Sequence, residues 1–205
     1  MPAPLNDKDL IAAALTGDES AFQRLMEHYQ DYIFGLCYRV CRNRADAQEA
    51  SQECFFSFYR NLGRYRADGK LSNWLYTIAL NKCRQLLRRR KLRQVLSLDL
   101  SFEGERPLDP PSAKADPGDL AEQAQLRAQL ARAAARLSQD AREIFALRYD
   151  LDLEIPEIVE VTGKSSEAVR VKLHRARAQV RAALIAQGLD VTEWGLADRE
   201  GQEQS

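Results

Sequence analysis

The chain has 205 residues, with 30 basic and 30 acidic side chains that cancel to zero formal charge, and an apolar share of 45%. That length suits one large domain or two small ones, and the composition allows a core. No run approaches the roughly 20 apolar residues that cross a bilayer. The start, MPAPLNDKDL, lacks a basic-then-apolar leader, so a cytoplasmic protein without membrane insertion is expected.

In chain order, the spacing predicts a short helix near Asp9 to Leu15 that stops at Gly17. Phe22, Leu25, Met26, Tyr29, Ile33, Leu36, Cys37 and Val40 then repeat at helical period. Ala47, Ala50, Cys54, Phe55, Phe58 and Leu62 form a second stripe, with Asp46 and Glu49 spaced as a capping box. The loop RYRADGKLSN follows, and Ser72 is placed to cap a helix striped by Trp74, Leu75, Ile78, Ala79, Cys83 and Leu86. Beyond Arg93 the pattern breaks into an acidic stretch holding Pro107, Pro110, Pro111 and Pro117, which is too polar to bury a core.

Helical pattern resumes near Asp116-Pro117. One stripe runs through Leu126, Leu130, Ala133, Ala134 and Leu137. Ser138 caps a helix with Ile144, Phe145 and Leu147, and a short helix carries Ile155, Ile158 and Val159. Thr162-Gly163-Lys164 makes a turn, and Ser165 caps a last helix with Val169, Leu173, Ala176 and Val180 inside. The expected fold is all-α: two small helical domains joined by a flexible acidic linker, the second with a helix-turn-helix. The expected divisions are a first domain at 1–93, the linker at 94–118, a second domain at 119–187 and a tail at 188–205, holding Trp194.

Positive charge is sorted into two places. Lys82, Arg84, Arg88, Arg89, Arg90, Lys91 and Arg93 follow one another with no acid between them. Lys164, Arg170, Lys172, Arg175, Arg177 and Arg181 line the last helix, opposed only by Glu167. Two separated basic faces suggest two contacts with one long polyanion. In the helix-turn-helix, the inward set leaves Ser166, Glu167, Arg170, Val171 and His174 outward at the N-terminal end, which enters a major groove. Arginine bonds guanine bidentately, glutamate accepts from cytosine, and valine touches a thymine methyl. Arg175, Arg177 and Arg181 sit further along, at phosphate-binding positions. Around the first basic run, aromatics interleave with cations as single strands require, although Phe55, Phe58, Trp74 and Tyr76 fall at core spacing. Asn81 adjoins that run, and its amide can both donate to and accept from a base edge.

No nucleophile elbow, phosphate loop, zincin or paired-carboxylate motif occurs, and His28 and His174 lie far apart, so no catalytic site and no cofactor are expected. Cys37 and Cys41, four apart, could place two thiolates on one metal. The apolar stripes that hold Cys37, Cys54 and Cys83 favour buried thiols instead, and no metal site is expected.

Three segments carry a family resemblance. DAQEASQECFFSFYRNL has an acid-rich D-x-x-E-x-x-Q-E pattern, WLYTIALNKCRQLLRRRK follows it, and the stretch from Leu137 to Leu184 contains LHRARAQVR. In this order and spacing, across nearly all of residues 5–186, the chain resembles a bacterial extracytoplasmic-function sigma factor. The resemblance implies a promoter-specificity subunit without enzymatic activity. Its partners would be core RNA polymerase (clamp helices and flap), promoter DNA and an anti-sigma factor. Asp46, Glu49, Gln52, Glu53, Arg60 and Asn61 would face the polymerase clamp. Tyr65, Arg66, Asp68, Lys70 and Ser72 would form the pocket for a flipped minus-10 base, and Asn81, Lys82, Arg84 and Arg88 would hold the non-template strand. Ser165, Ser166, Glu167, Arg170, Val171, His174, Arg175 and Arg177 would contact the minus-35 element. Within the turn, Lys164 and Thr162 depart from the apolar residues usual in the family, which implies a looser turn core. The rival reading is a free-standing helix-turn-helix regulator that binds duplex DNA as a dimer; the acid-rich 46–53 face and the aromatic-basic 74–93 helix argue against it.

Overall fold

A computed structural model describes residues 6–65, 69–96 and 120–189. The linker and tail therefore lie almost wholly outside the described residues, as do Trp194, Leu126's surroundings and the Asp116-Pro117 cap. The described residues form helices and no strand. These are α1 (Asp7–Leu15), α2 (Glu19–Cys41), α3 (Arg44–Asn61), α4 (Leu71–Leu96), α5 (Leu120–Ala135), α6 (Gln139–Tyr149), α7 (Ile155–Thr162) and α8 (Ser166–Ile185). A 3-10 turn over Leu62–Arg64 follows α3.

Helix α2 starts where the Asp18 carboxylate accepts from the backbone N–H groups of Ser20 and Ala21. It ends where Arg42 turns into the left-handed region and its N–H closes on the Tyr38 carbonyl. Its expected stripe is the inner face: Leu25, Tyr29, Ile33, Leu36, Cys37 and Val40 are buried, with Phe22 and Met26 half-covered beside them. Helix α3 begins earlier than its acids suggest. Asn43 is the cap, accepting from the Asp46 N–H at 3.0 Å, so Asp46 is an ordinary first-turn residue rather than the head of a capping box. The carboxylate still favours that position, close to the exposed N–H groups of the helix start.

Helix α4 also starts one residue before the expected cap. Ser72 lies inside its first turn and is buried. The N-terminal half of α4 is apolar on most sides because α2, α3 and α7 all pack against it, which buries Leu71, Leu75, Tyr76, Ala79, Leu80 and Cys83. Its C-terminal half is basic, a placement that suits the negative end of the helix dipole. Helices α1 to α4 thus make one bundle.

Ser138 caps α6 through the Ala141 N–H, as its position predicts. Helix α7 opens on a reciprocal capping box between Glu154 and Glu157, with proline in its first turn. Gly163, at φ 68°, closes α7, and the Ser165 hydroxyl accepts from the Ala168 N–H to start α8. Ala133, Leu137, Phe145, Ala176, Val180, Ala183 and Leu184 form a second, smaller core among α5, α6 and α8.

The two halves are not separate bodies in this structure. Helix α6 packs on α2, and α7 packs on α4. Ile144, Leu147, Leu153, Ile158, Val161, Val169 and Leu173 belong to the same apolar cluster as the first bundle. Arg142 donates to the Val40 carbonyl at 3.4 Å, and Arg39 pairs with Asp150 at 3.3 Å.

Candidate nucleic-acid interface

The second basic face is built on α8. Burial of Val169, Leu173, Ala176 and Val180 fixes the helix roll. That roll turns Ser165, Ser166, Glu167, Arg170, Val171, His174 and Arg175 outward, and leaves Arg177 at the edge. Val171 is 43% exposed, between the exposed Arg170 and the half-buried Lys172. The preceding turn is pinned by polar contacts where an apolar packing residue would otherwise serve. Lys164 reaches Asp140 on α6 at 3.0 Å, and Lys172 reaches the same carboxylate at 3.3 Å. The hydrogen bond from Lys164, together with the charges of both lysines, holds the Asp140 carboxyl below its ordinary range despite partial burial. Thr162 donates to the Ile158 carbonyl at 2.6 Å and accepts from the Lys164 N–H at 3.4 Å. Of the two departures from the family pattern, Lys164 thus ties the turn to α6, and Thr162 ties it to the last turn of α7.

The first basic face runs along α4, and here the structure corrects the picture of an unopposed cationic strip. Carboxylates from other elements meet it. Lys82 pairs with Glu53 of α3 at 3.3 Å, and Arg90 with Asp46 at 2.8 Å. Arg84 grips Glu143 of α6 with Nε at 3.0 Å and Nη2 at 2.5 Å from the same oxygen. Glu143 is 0% exposed, and its hydrogen bond and charge raise the Arg84 guanidinium still further above its ordinary value. Asn81 is exposed and accepts from Arg84 at 3.3 Å, and Arg88 is exposed one turn on.

Of the expected base pocket, Tyr65, Lys70 and Ser72 are described, whereas Arg66 and Asp68 lie outside the described residues. Tyr65 closes the loop by donating to the Gly69 carbonyl at 2.8 Å, and its ring leans on Trp74 with centroids 5.2 Å apart. Ser72 lies beneath the surface rather than on it. Lys70 pairs with Glu157 of α7 at 2.7 Å. Asn73, which the sequence reading passed over, is 3% exposed and donates to Glu160 at 2.8 Å.

The acid-rich face of α3 divides. Glu49, Gln52, Glu53 and Arg60 are exposed along one side. Asp46 turns toward Arg90, and Asn61 spends its amide on the Ser57 carbonyl at 2.8 Å. Phe56, 66% exposed, lies on the same side as the charged group, and Tyr59 is exposed next to it, edge-on to Phe22. The available signal was the period of the stripe, since the helical repeat puts Phe56 opposite the buried Cys54 and Phe58.

All four cysteines are free and buried. Desolvation pushes the Cys54 thiol up to about 12. A hydrogen bond to Cys83, with burial, raises Cys41 as well. Among the described residues no group of three His, Cys, Asp or Glu side chains is placed to hold a metal ion, and no described helix is long and apolar enough to cross a membrane.

Residues 25–93 match Sigma-70 region 2, and residues 127–180 match Sigma-70, region 4. The chain is 30% identical to the ECF RNA polymerase sigma factor SigW of Bacillus subtilis, over 86% of this chain and 96% of the relative. It is 32% identical to the RNA polymerase sigma-H factor of Pseudomonas aeruginosa, over 87% and 93%. Among solved structures, CnrH in complex with the cytosolic domain of CnrY superposes with a TM-score of 0.63 at 25% identity, covering 88% of this chain and 97% of that one. The sigma factor RpoE in complex with the anti-sigma factor NepR from Bartonella quintana shares the fold, with a TM-score of 0.67 at 18% identity over 80% and 96%. With both sigma regions in order and relatives matched over almost their whole length, the chain belongs to the extracytoplasmic-function family of RNA polymerase sigma factors.

Proposed function

We propose that this sigma factor binds core RNA polymerase through α3, holds the melted minus-10 strand on the 65–72 loop and α4, and reads the minus-35 duplex with α8. The observation that carries the reading is the roll of α8. Four buried apolar residues force Ser166, Glu167, Arg170 and Val171 outward on its first turns, where a recognition helix meets base edges. Arg175 and Arg177, further along, suit phosphates, which position the helix without reading sequence.

On region 2, capture of an unstacked base offsets a melting cost of a few kcal/mol. Asn81, Arg84 and Arg88 supply donors at helical spacing along one side of α4, with Lys70 just before the helix and Lys82 turned toward α3, and the Tyr65–Trp74 pair adds aromatic rings near the start of α4. On α3, Phe56 ringed by Glu49, Gln52, Glu53 and Arg60 has the make-up of a protein contact: one apolar anchor within a polar rim. Two solved relatives are seen with CnrY and with the anti-sigma factor NepR, which supports an anti-sigma partner for this chain.

Run-off transcription with purified core polymerase on genomic fragments tests the reading. Specific initiation that depends on the added chain is the expected result. Duplex binding by the chain alone, with no initiation on any fragment, would instead identify a free-standing regulator.

A further inference from the structure

A cleft of about 380 Å³, counted out to open solvent, lies where the end of α2 meets α5 and α6. None of its lining residues is among those assigned above to DNA or to polymerase. Its floor is apolar, with Leu130, Ala131, Ala134 and Phe145. The alanines add little bulk above the helix backbone, so a flat side chain can lie close to it. Its rim is cationic, with Arg39, Arg42 and Arg142 set against Asp150. Parts of that rim are fixed in place. Arg39 meets Asp150 at 3.3 Å, and Arg142 donates to the Ala135 and Leu137 carbonyls at 3.2 and 3.1 Å. An apolar floor under a positive rim suits an aromatic anchor on an acidic segment.

The chain itself supplies such a segment. Beyond α8, Leu189 packs against the same small core as Leu130 and Ala134, two residues of the cleft floor. The sequence that follows is DVTEWGLADREGQEQS. It carries Asp190, Glu193, Asp198, Glu200 and Glu203 against Arg199 alone, with Trp194 and Leu196 as its large apolar residues. From Leu189, an extended chain reaches Trp194 within about 17 Å. The acidic linker is a poorer fit. It holds no tryptophan and joins α5 at Leu120, about 15 Å along the helix axis from Leu130.

We propose that residues 190–198 dock in this cleft, with Trp194 laid on the floor of α5 and α6 and the acids of the segment facing the arginine rim. The contact need not be strong. A tether this short gives an effective concentration on the order of millimolar, so an affinity of about 1 mM seats the segment half of the time. The charge part of the attraction is exposed and weakens as salt rises. A seated tail bridges α2 and the α5–α6 pair, and any outside ligand of the cleft has to displace it.

Photocrosslinking in the full chain tests the seat. Trp194→p-benzoylphenylalanine puts a photoreactive ketone at the anchor position. On irradiation the ketone inserts into a neighbouring C–H bond, forming one C–C bond and an alcohol, and mass spectrometry locates the adduct. Most of it is expected in the monomer band, on residues 130–135 and 145–146. Asp190→Lys with Glu193→Lys and Asp198→Lys should cut that adduct severalfold, and raised salt should act in the same direction. A second measurement needs no bulky label. Amide hydrogen exchange over residues 130–135 should be severalfold faster in Trp194→Ser than in the parent. Adduct confined to a dimer band would mean that a second copy fills the cleft, and adduct on the linker or on other helices would give the tail a different seat. Either result overturns the proposal. So does an adduct that charge reversal leaves untouched, or exchange over 130–135 that Trp194→Ser leaves unchanged.

Discussion

Arg170 stands at the first outward turn of α8 with its side chain exposed, where a guanidinium can fork onto a guanine. Arg170→Ala is expected to cost about 1–3 kcal/mol at one base pair of the minus-35 element, and much less elsewhere. Transcription from a promoter set with each position substituted in turn would reveal this; an equal loss at all positions would make Arg170 a phosphate ligand. Asp140 carries a pH prediction. Lys164 and Lys172 hold its carboxyl below the ordinary 3.8, so its contribution to stability is fully present above that value and is lost as pH falls through the lower folded value. The stability gap between the parent and Asp140→Asn should therefore persist at neutral pH and close in acid. A gap that stays constant down to acid denaturation would sink the assignment. Outward residues such as these were legible from spacing alone, because burial at 169, 173, 176 and 180 leaves only one possible roll. Glu143 was not legible. Nothing local distinguishes a buried carboxylate from a solvated one when its partner, Arg84, stands 59 residues away in the chain.

At the scale of elements, helix ends follow the sequence where local chemistry decides and depart from it where packing does. Ser138, Ser165 and Gly163 punctuate their helices as expected. Asn43 and Leu71 began theirs a little earlier than the chosen caps, since several polar residues at each start could serve and tertiary contacts select among them. Gly163 permits a quantitative test. At φ 68° a Cβ is strained even though open space surrounds it, so Gly163→Ala should lower stability by about 1 kcal/mol or somewhat more, read as a shifted denaturation midpoint with unchanged slope. On α3 the unpartnered ring is Phe56. Phe56→Ala is expected to weaken binding to core polymerase by at least about 2 kcal/mol while leaving the isolated chain as stable as before, because a ring so exposed adds little to the core. Unfolding and holoenzyme assembly, measured side by side, separate these effects; a loss of stability equal to the loss of binding would place the ring inside the fold.

The whole molecule is where sequence reading stops short. Two helical halves with a polar stretch between them were visible from periodicity. Their packing against one another was not, because the residues that join them, Val40 with Arg142 and Lys70 with Glu157, are 102 and 87 positions apart and belong to no repeating pattern. The same distance hid the acids that meet the cationic strip on α4. Within region 2 alone, Glu53 sits on Lys82 and Asp46 on Arg90. These carboxylates act as resident counterions. A lysine or arginine that stays paired with its carboxylate neutralises no phosphate, so it displaces no condensed cation from the nucleic acid, and that ion release is what makes nucleic-acid binding steep in salt. The chain should therefore hold single-stranded DNA with a shallower salt dependence than its run of lysines and arginines suggests. Asp46→Asn with Glu53→Gln should steepen the logarithmic slope by roughly 1.4, at about 0.7 for each cation released. Titrations across a salt series with the isolated chain measure that slope, and an unchanged one would mean that Lys82 and Arg90 already exchange their carboxylates for phosphates in the parent, or meet no phosphate at all. A sigma factor that carries its own counterions has affinity tied less to the ionic strength of the cell and more to whichever partner next displaces them.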